Sequence, residues 1–207
     1  MLAAVAPLHF PQLLAFPYYR EIGDQRVWSE QPLAGPALAP IVAASAARID
    51  RSPVAREREQ RRIFLTNGGW RWHWLVLTSR GAFAITRPLS ENIVVNRTNL
   101  RTGKVSNGRA VGGVRSLASV IAHETAHGMI RRRYGPFAGL FHPNWLIEGY
   151  CDFVAGESSL SATEVARLEA AGEDHPALSY FHGRRRVASI LARNGGSVDR
   201  LFSGEHR

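Results

Sequence analysis

The chain has 207 residues, of which 45% are hydrophobic, and carries a net charge of +9. This length suffices for one domain with a sizeable core and argues against a second independent one. Because Cys151 is the only cysteine, no intrachain disulfide can form, which excludes a disulfide-stapled secreted scaffold but assigns no compartment. We expect Cys151 to be a small buried residue.

Arginine carries almost all of the positive charge, since Lys104 is the only lysine. The basic side chains cluster at residues 56–62, 131–133 and 184–186. A basic chain can bind nucleic acid, an anionic membrane or acidic substrates through a field that salt screens. We interpret these clusters as solvated helix faces, so nucleic acid is disfavoured as a partner.

The first sixteen residues contain no ionisable side chain other than His9. This stretch is too short for a comfortable membrane span, lacks a basic leading region and is interrupted by Pro7 and Pro11, so no cleavable signal peptide is predicted. We interpret residues 1–20 as an apolar tail or the remnant of a membrane anchor, followed by a single domain over residues 21–207. Membrane association through the tail stays open, and localisation is either cytoplasmic or membrane-associated.

The first half of that domain is predicted to hold one helix and four strands. Apolar spacing predicts a helix over Leu38–Ile49 that ends before Pro53. Alternation and turn residues predict strands at residues 62–66, 71–77, 83–86 and 93–96. The second strand rests on the alternation of three tryptophans from Trp70, which we interpret as a half-buried strand rather than a base-stacking surface. Residues 101–113 are predicted to be a glycine-punctuated loop or hairpin.

The second half is predicted to be helical. One helix runs from Ser116, its N-cap, to Arg133, and a second follows Pro143 and ends at Gly156. A capping box at Ser161 opens a third helix that ends near residue 172, and residues 180–193 form the last long helix. Helix, then strands, then helices predicts an α+β domain.

The first of these helices contains the pentapeptide His123-Glu124-Thr125-Ala126-His127. Histidines four residues apart lie on one helix face and can both bind one metal ion. A catalytic zinc takes three protein ligands and keeps one position open, and two histidines with one glutamate are an established set. Glu148 is the predicted third ligand, with His142 as its main competitor.

Asp152 follows Glu148 by four residues, so the two carboxylates share a face of the second helix. A metal-bound histidine usually donates its other ring N–H to a carboxylate or carbonyl, which fixes its tautomer and orientation. We predict that Asp152 accepts this hydrogen bond from His123.

The motif helix, a short loop and a second helix carrying W-L-x-E-G-x-x-D together resemble the gluzincin metallopeptidases, which include thermolysin and the aminopeptidase N-like enzymes. The resemblance covers residues 116–156 and is strongest to small bacterial gluzincin-like peptidases reduced to the catalytic core. It implies Zn²⁺ bound by His123, His127 and Glu148, Glu124 as the general base, and a peptide or protein substrate. It also implies a zincin-like core, in which a small mixed sheet packs on the motif helix and a helical part follows.

The aminopeptidase segment G-A-M-E-N corresponds here to G-A-F-A-I at residues 81–85, which lacks the amine-binding acid. Aminopeptidase specificity is therefore not implied. Gly81, Ala82 and Phe83 are predicted to bind an extended peptide as an added strand, the alternative being a plain core strand.

The oxyanion that develops in peptide hydrolysis needs a hydrogen-bond donor. Four side chains can donate this hydrogen bond: Tyr150, Tyr180, His142 and His182. Tyr180 is preferred because related enzymes place such a donor downstream of the glutamate.

Three functions therefore compete. The first is zinc-dependent peptide-bond hydrolysis with Glu124 as base. The second is a catalytically silent zinc-bound scaffold, and the third is a basic nucleic-acid or membrane-surface binder in which the motif is accidental.

Overall fold

The computed structural model describes residues 2–88 and 90–204, with side chains from residue 6 onward. It is a mixed α+β fold with 49% helix and 15% strand, which confirms the predicted fold class. The helices are α1 (Leu2–His9), α2 (Gly35–Ile49), α3 (Trp70–Val76), α4 (Leu117–Tyr134), α5 (Ala138–Phe141), α6 (Asn144–Ala155), α7 (Ala162–Ala170), α8 (Pro176–Arg193) and α9 (Val198–Ser203). A short 3₁₀ helix spans Pro11–Leu14.

One sheet contains five strands. Their spatial order is β1 (Tyr18–Ile22), β2 (Gln25–Ser29), β3 (Arg62–Leu65), β5 (Ile93–Val95) and β4 (Ala84–Thr86). The β2–β3 and β3–β5 pairs are parallel, whereas β1 and β4 run antiparallel to their neighbours. Ala84 pairs with Val95 and Thr86 with Ile93, so β4 is an edge strand. A second, antiparallel sheet consists of β6 (Arg97–Asn99), β7 (Lys104–Ser106) and β8 (Val114–Ser116).

Helix α4 lies at the centre of the molecule and follows β8 without a break. Ser116, the last residue of β8, is its N-cap and accepts a hydrogen bond from the backbone of Ser119, as predicted. The helix packs against α2, α6 and β4, and its apolar side chains Leu117, Val120 and Ile121 join the core beneath the large sheet.

Helices α6 and α8 pack at unusually close range because glycines face each other. A methyl group added to Gly149 would lie 2.5 Å from the backbone carbon of Gly183, and one added to Gly183 would lie 2.6 Å from the carbonyl oxygen of Trp145. Only glycine allows backbones to approach this closely. The contact fixes α6, and with it Glu148, against α8.

The predicted strand over residues 71–77 is wrong, because this segment is helix α3. Trp72, Leu75 and Val76 face a core formed with Phe64 and Val94, whereas Trp70 and Trp74 are exposed. Four-residue spacing puts the two exposed tryptophans on one helix face, and the same alternation also satisfies a strand. Tertiary packing therefore overrode the β preference of these residues.

The other predicted elements are recovered with shifted ends. The capping box of Ser161 and Glu164 is present at the start of α7, and the loop over residues 101–113 contains β7. The hairpin of β1 and β2 and the short helix α9 were not predicted. The boundary placed at residue 20 falls inside β1. Over the described residues, none of the helices is both long enough and apolar enough to span a bilayer.

Candidate metal centre

The imidazoles of His123 and His127 lie one turn apart on α4, with ring centroids 5.0 Å apart. The carboxylate of Glu148 on α6 reaches across to both: Oε2 lies 3.3 Å from His123 Nε2, and Oε1 lies 3.6 Å from His127 Nε2. Two imidazole nitrogens and a carboxylate thus converge from two helices. These are donor types that zinc takes, and the distances leave room for an ion between the three side chains.

Asp152 lies on the other side of His123. Its Oδ1 is 2.8 Å from His123 Nδ1 and accepts a hydrogen bond from Arg115 Nη1 at 2.9 Å. The side chains of Asp152 and Arg115 are both buried. With Nδ1–H donated to Asp152, His123 keeps its Nε2 directed at Glu148, which is the orientation that a metal ligand requires.

The charges of these groups are coupled. Burial alone would lower the pKa of His123, but its hydrogen bonds to Asp152 and Glu148 raise that pKa to about 10. Burial would likewise raise the pKa of Glu148, yet the neighbouring His127 and His123 lower it to about 2. Burial lowers the pKa of His127. The metal-free site therefore holds a proton on His123 between two anionic carboxylates.

Cys151 offers a competing donor. Its Sγ and nitrogen atoms of His123 and His127 all lie within 4.8 Å of one another. The thiol is fully buried, and burial together with nearby carboxylates raises its pKa well above the ordinary value. Glu148 and Cys151 are thus two candidate third donors beside the histidine pair.

Glu124 lies between the two histidines on α4 and is buried. The hydroxyl of Thr86, at the end of β4, is 2.6 Å from Glu124 Oε2 and 2.8 Å from the Glu124 carbonyl oxygen. One hydroxyl proton serves one of these acceptors at a time. Thr86 therefore ties the side chain of Glu124 to the edge strand.

A cleft of about 640 Å³ opens over the histidines, and β4 forms one wall. Gly81, Ala82 and Phe83 line this wall but precede the strand, which begins at Ala84. These three residues form a turn that leads into β4 and are not part of the strand. The strand edge that faces the cleft is residues 84–86.

Of the four proposed oxyanion donors, Tyr180 lines the cleft. Burial raises its pKa, and the charge of Glu148 raises it further. The other three side chains have partners elsewhere: the Tyr150 hydroxyl is 2.7 Å from Ser52 Oγ, His182 Nε2 is 2.9 Å from Glu169, and His142 packs edge-on against Phe202. His142 is thus in an aromatic cluster, whereas the carboxylate of Glu148 lies beside both histidines.

Sequence reasoning missed four side chains around the site: Thr86, Arg115, Arg131 and Glu157. Thr86 contacts Glu124 and Arg115 contacts Asp152, each across a long sequence separation, and Arg131 lines the cleft as one member of an arginine run. Glu157 accepts a hydrogen bond from the backbone of Ser116, at the start of the helix that carries the histidines. No local sequence pattern indicated Thr86, Arg115 or Glu157. Arg131 could have been found, because it follows His127 by four residues on the same helix face.

No protein-family model, curated protein or solved structure matches this chain.

Proposed function

We propose that the chain is a zincin-like domain of the gluzincin type that hydrolyses peptide bonds with one zinc ion. The observation that carries the proposal is the convergence of His123, His127 and Glu148, with oxygen-to-nitrogen distances of 3.3 and 3.6 Å, next to the buried Glu124. Two imidazoles and one carboxylate leave a fourth position for water, which is the composition of a catalytic rather than a structural zinc site.

When bound, zinc supplies Lewis acidity, which makes a water molecule acidic near neutral pH and polarises a carbonyl group. Glu124 accepts a proton from the attacking water as the oxygen bonds to the carbonyl carbon. As the C–N bond breaks, Glu124 delivers this proton to the leaving amine. The hydroxyl of Thr86 holds the carboxylate of Glu124 in place.

The substrate backbone is proposed to lie along β4. An edge strand presents unpaired N–H and C=O groups, and an extended peptide can pair with them as an added strand. Residues 84–86 supply this edge, and residues 81–83 extend the wall at its start. Tyr180, which also lines the cleft, is the proposed donor to the oxyanion.

The decisive experiment compares wild type with Glu124→Gln. Zinc content is measured by elemental analysis, and cleavage is followed on a pool of quenched peptides with and without chelator. We expect about one zinc per chain in both proteins. Cleavage by wild type should be lost with chelator and return with zinc, and Glu124→Gln should be slower by about 10²- to 10⁴-fold.

Glu173→Gln is the matched control, because Glu173 is an exposed carboxylate paired with Arg167 on α7. It should cleave like wild type. Equal cleavage by Glu124→Gln and wild type would overturn the proposal. One zinc per chain without cleavage of any peptide would identify a silent scaffold, and the absence of zinc would favour a basic surface binder.

Two further variants test the ligand set. Glu148→Ala should lower zinc occupancy, whereas Cys151→Ala should leave it unchanged, since the proposed ligand set contains Glu148 and not the thiol. The reverse result would make Cys151 the third ligand.

A further inference from the structure

Arg131 lies on α4, four residues beyond His127 and therefore on the same helix face. It is half-buried and lines the cleft together with His127 and Glu124. Burial lowers the pKa of its guanidinium, while the charges of Glu91 and Glu124 oppose this shift. A cation thus stands in the wall of the cleft, one helical turn from the proposed ligand His127.

In the part of the chain that the structure describes, the guanidinium of Arg131 forms no hydrogen bond or ion pair, and its Nε and Nη2 atoms are buried without an acceptor. The next two arginines on the helix differ. Arg132 pairs with Glu59 and Glu91, and Arg133 pairs with Asp199. The charge of Arg131 is therefore not neutralised by an ion pair, and a ligand that brings a carboxylate to the part of this side chain that lines the cleft gains a charge-assisted hydrogen bond.

We infer that Arg131 is a receptor for a substrate carboxylate. The cleft would then select peptides with an acidic group near the scissile bond, either an Asp or Glu side chain or the free C-terminal carboxylate. Guanidinium and carboxylate match in a planar, two-hydrogen-bond geometry that a neutral amide cannot reproduce. This inference rests on the proposed peptidase function and names its substrate class.

A second feature supports a cation at this point. Glu124 and Glu148 are anionic or acidic groups in the same cleft, and they would repel an acidic substrate. Arg131 lies close enough to Glu124 for their charges to interact, so it offsets this repulsion on the side of the cleft where the base lies.

The test uses the zinc-loaded full chain and matched peptides. Each acidic peptide has a partner in which Glu is replaced by Gln, and each free C-terminus has an amidated partner, so the two sources of carboxylate are separated. For one of these sources of carboxylate, wild type should cleave the acidic peptide with a kcat/KM about 10- to 100-fold above that of its amide partner. In Arg131→Gln this ratio should fall to about one, with the loss confined to the acidic substrate.

Arg133→Gln is the control, because it removes the same charge from the same helix at an exposed ion pair. It should keep the wild-type ratio. Arg131→Lys keeps the charge without the planar fork and should retain part of the preference. Zinc content and circular dichroism establish that each variant is folded.

Equal cleavage of acid and amide by wild type would overturn the inference and leave the peptidase proposal standing. The same holds if Arg131→Gln keeps the preference, or slows acid and amide peptides equally. No chelator-sensitive cleavage of any peptide by wild type would overturn the peptidase proposal and, with it, this inference.

Discussion

Thr86 and Glu124 are 38 residues apart in the chain, yet the Thr86 hydroxyl lies 2.6 Å from the carboxylate of Glu124. The last residue of the edge strand thereby contacts the proposed general base. In the proposed mechanism, this contact would couple substrate pairing with β4 to proton transfer at Glu124 through one side chain. A base held within a fraction of an ångström of its working position is more effective than one that is free to rotate.

Replacing Thr86 by Val removes this hydroxyl at nearly constant volume. We expect kcat to fall by about 10-fold, with little change in zinc content, because the carboxylate loses its support but the ligands are untouched. Steady-state kinetics on a peptide cleaved by wild type measure the effect. Thr86→Ser, which keeps the hydroxyl, should retain most of the rate. Equal loss in both variants would show that the methyl group and not the hydroxyl matters.

Zinc binding should release protons at neutral pH. The pKa of His123 is raised to about 10 in the metal-free protein, so this imidazole is protonated at pH 7, whereas a metal ligand must be neutral. Affinity for zinc should therefore increase as pH rises towards 10 and decrease as pH falls. Calorimetry at pH 7 in buffers of different ionisation enthalpy should report the release of about one proton from this group.

Asp152→Asn provides the internal check on that experiment. The amide removes one anionic partner of His123, so the imidazole should bind its proton less strongly and proton release should decrease. Zinc affinity should also fall by about 10- to 100-fold, as is usual when a ligand loses its orienting partner. Heat that is independent of the buffer in wild type would contradict the protonated state of His123.

Glu157 should contribute stability that depends on pH. Burial would raise the pKa of its carboxyl, but hydrogen bonds from Ser116 and Ser119 lower it. A carboxyl with a lowered folded pKa stabilises the protein above its ordinary pKa of 4.5, and this contribution is lost as pH falls through the folded value. Glu157→Gln should therefore lower the free energy of unfolding by about 1 kcal/mol at pH 7.

Denaturant titrations of wild type and Glu157→Gln at several pH values check this expectation. The two proteins should differ at neutral pH and converge in acid, because both side chains are then uncharged. A difference that persists unchanged into acid would mean that shape and not charge accounts for the effect.

Gly149→Ala should be strongly destabilising. Its new methyl group would meet the backbone of Gly183 at 2.5 Å, and backbone cannot move aside as a flexible side chain can. We expect a loss of about 1–3 kcal/mol in the free energy of unfolding, together with weaker zinc binding, since Glu148 precedes the clash. Gly139→Ala on α5 is the control and should have little effect, because no neighbouring atom would lie within 4 Å of the added methyl group. Wild-type stability of Gly149→Ala would contradict the close packing of α6 and α8.

Local signals explain what the sequence predicted well. Ser116, Ser161 and Gly156 mark helix ends by hydrogen bonding or a left-handed backbone within a few residues, and the four-residue spacing of His123 and His127 depends only on the helix. Glu148 was predicted to be a metal ligand because it is a carboxylate on the helix that follows the motif helix.

What was missed depends on distant contacts. Arg115 and Asp152 are 37 residues apart, and no local pattern pairs them. The tryptophan segment shows the limit of periodicity, because its alternating pattern satisfied both a strand and a helix. The helix is favoured because it lets Trp72, Leu75 and Val76 pack together into the core around Phe64.

The free edge of β4 has a consequence for the behaviour of the protein in concentrated solution. An unpaired strand edge invites pairing with the same strand of another molecule. Every copy carries a net charge of +9, so long-range repulsion keeps copies apart at low ionic strength and leaves the edge accessible to other chains. Salt shortens this repulsion to about 10 Å at 0.1 M, and self-association through β4 then grows with ionic strength.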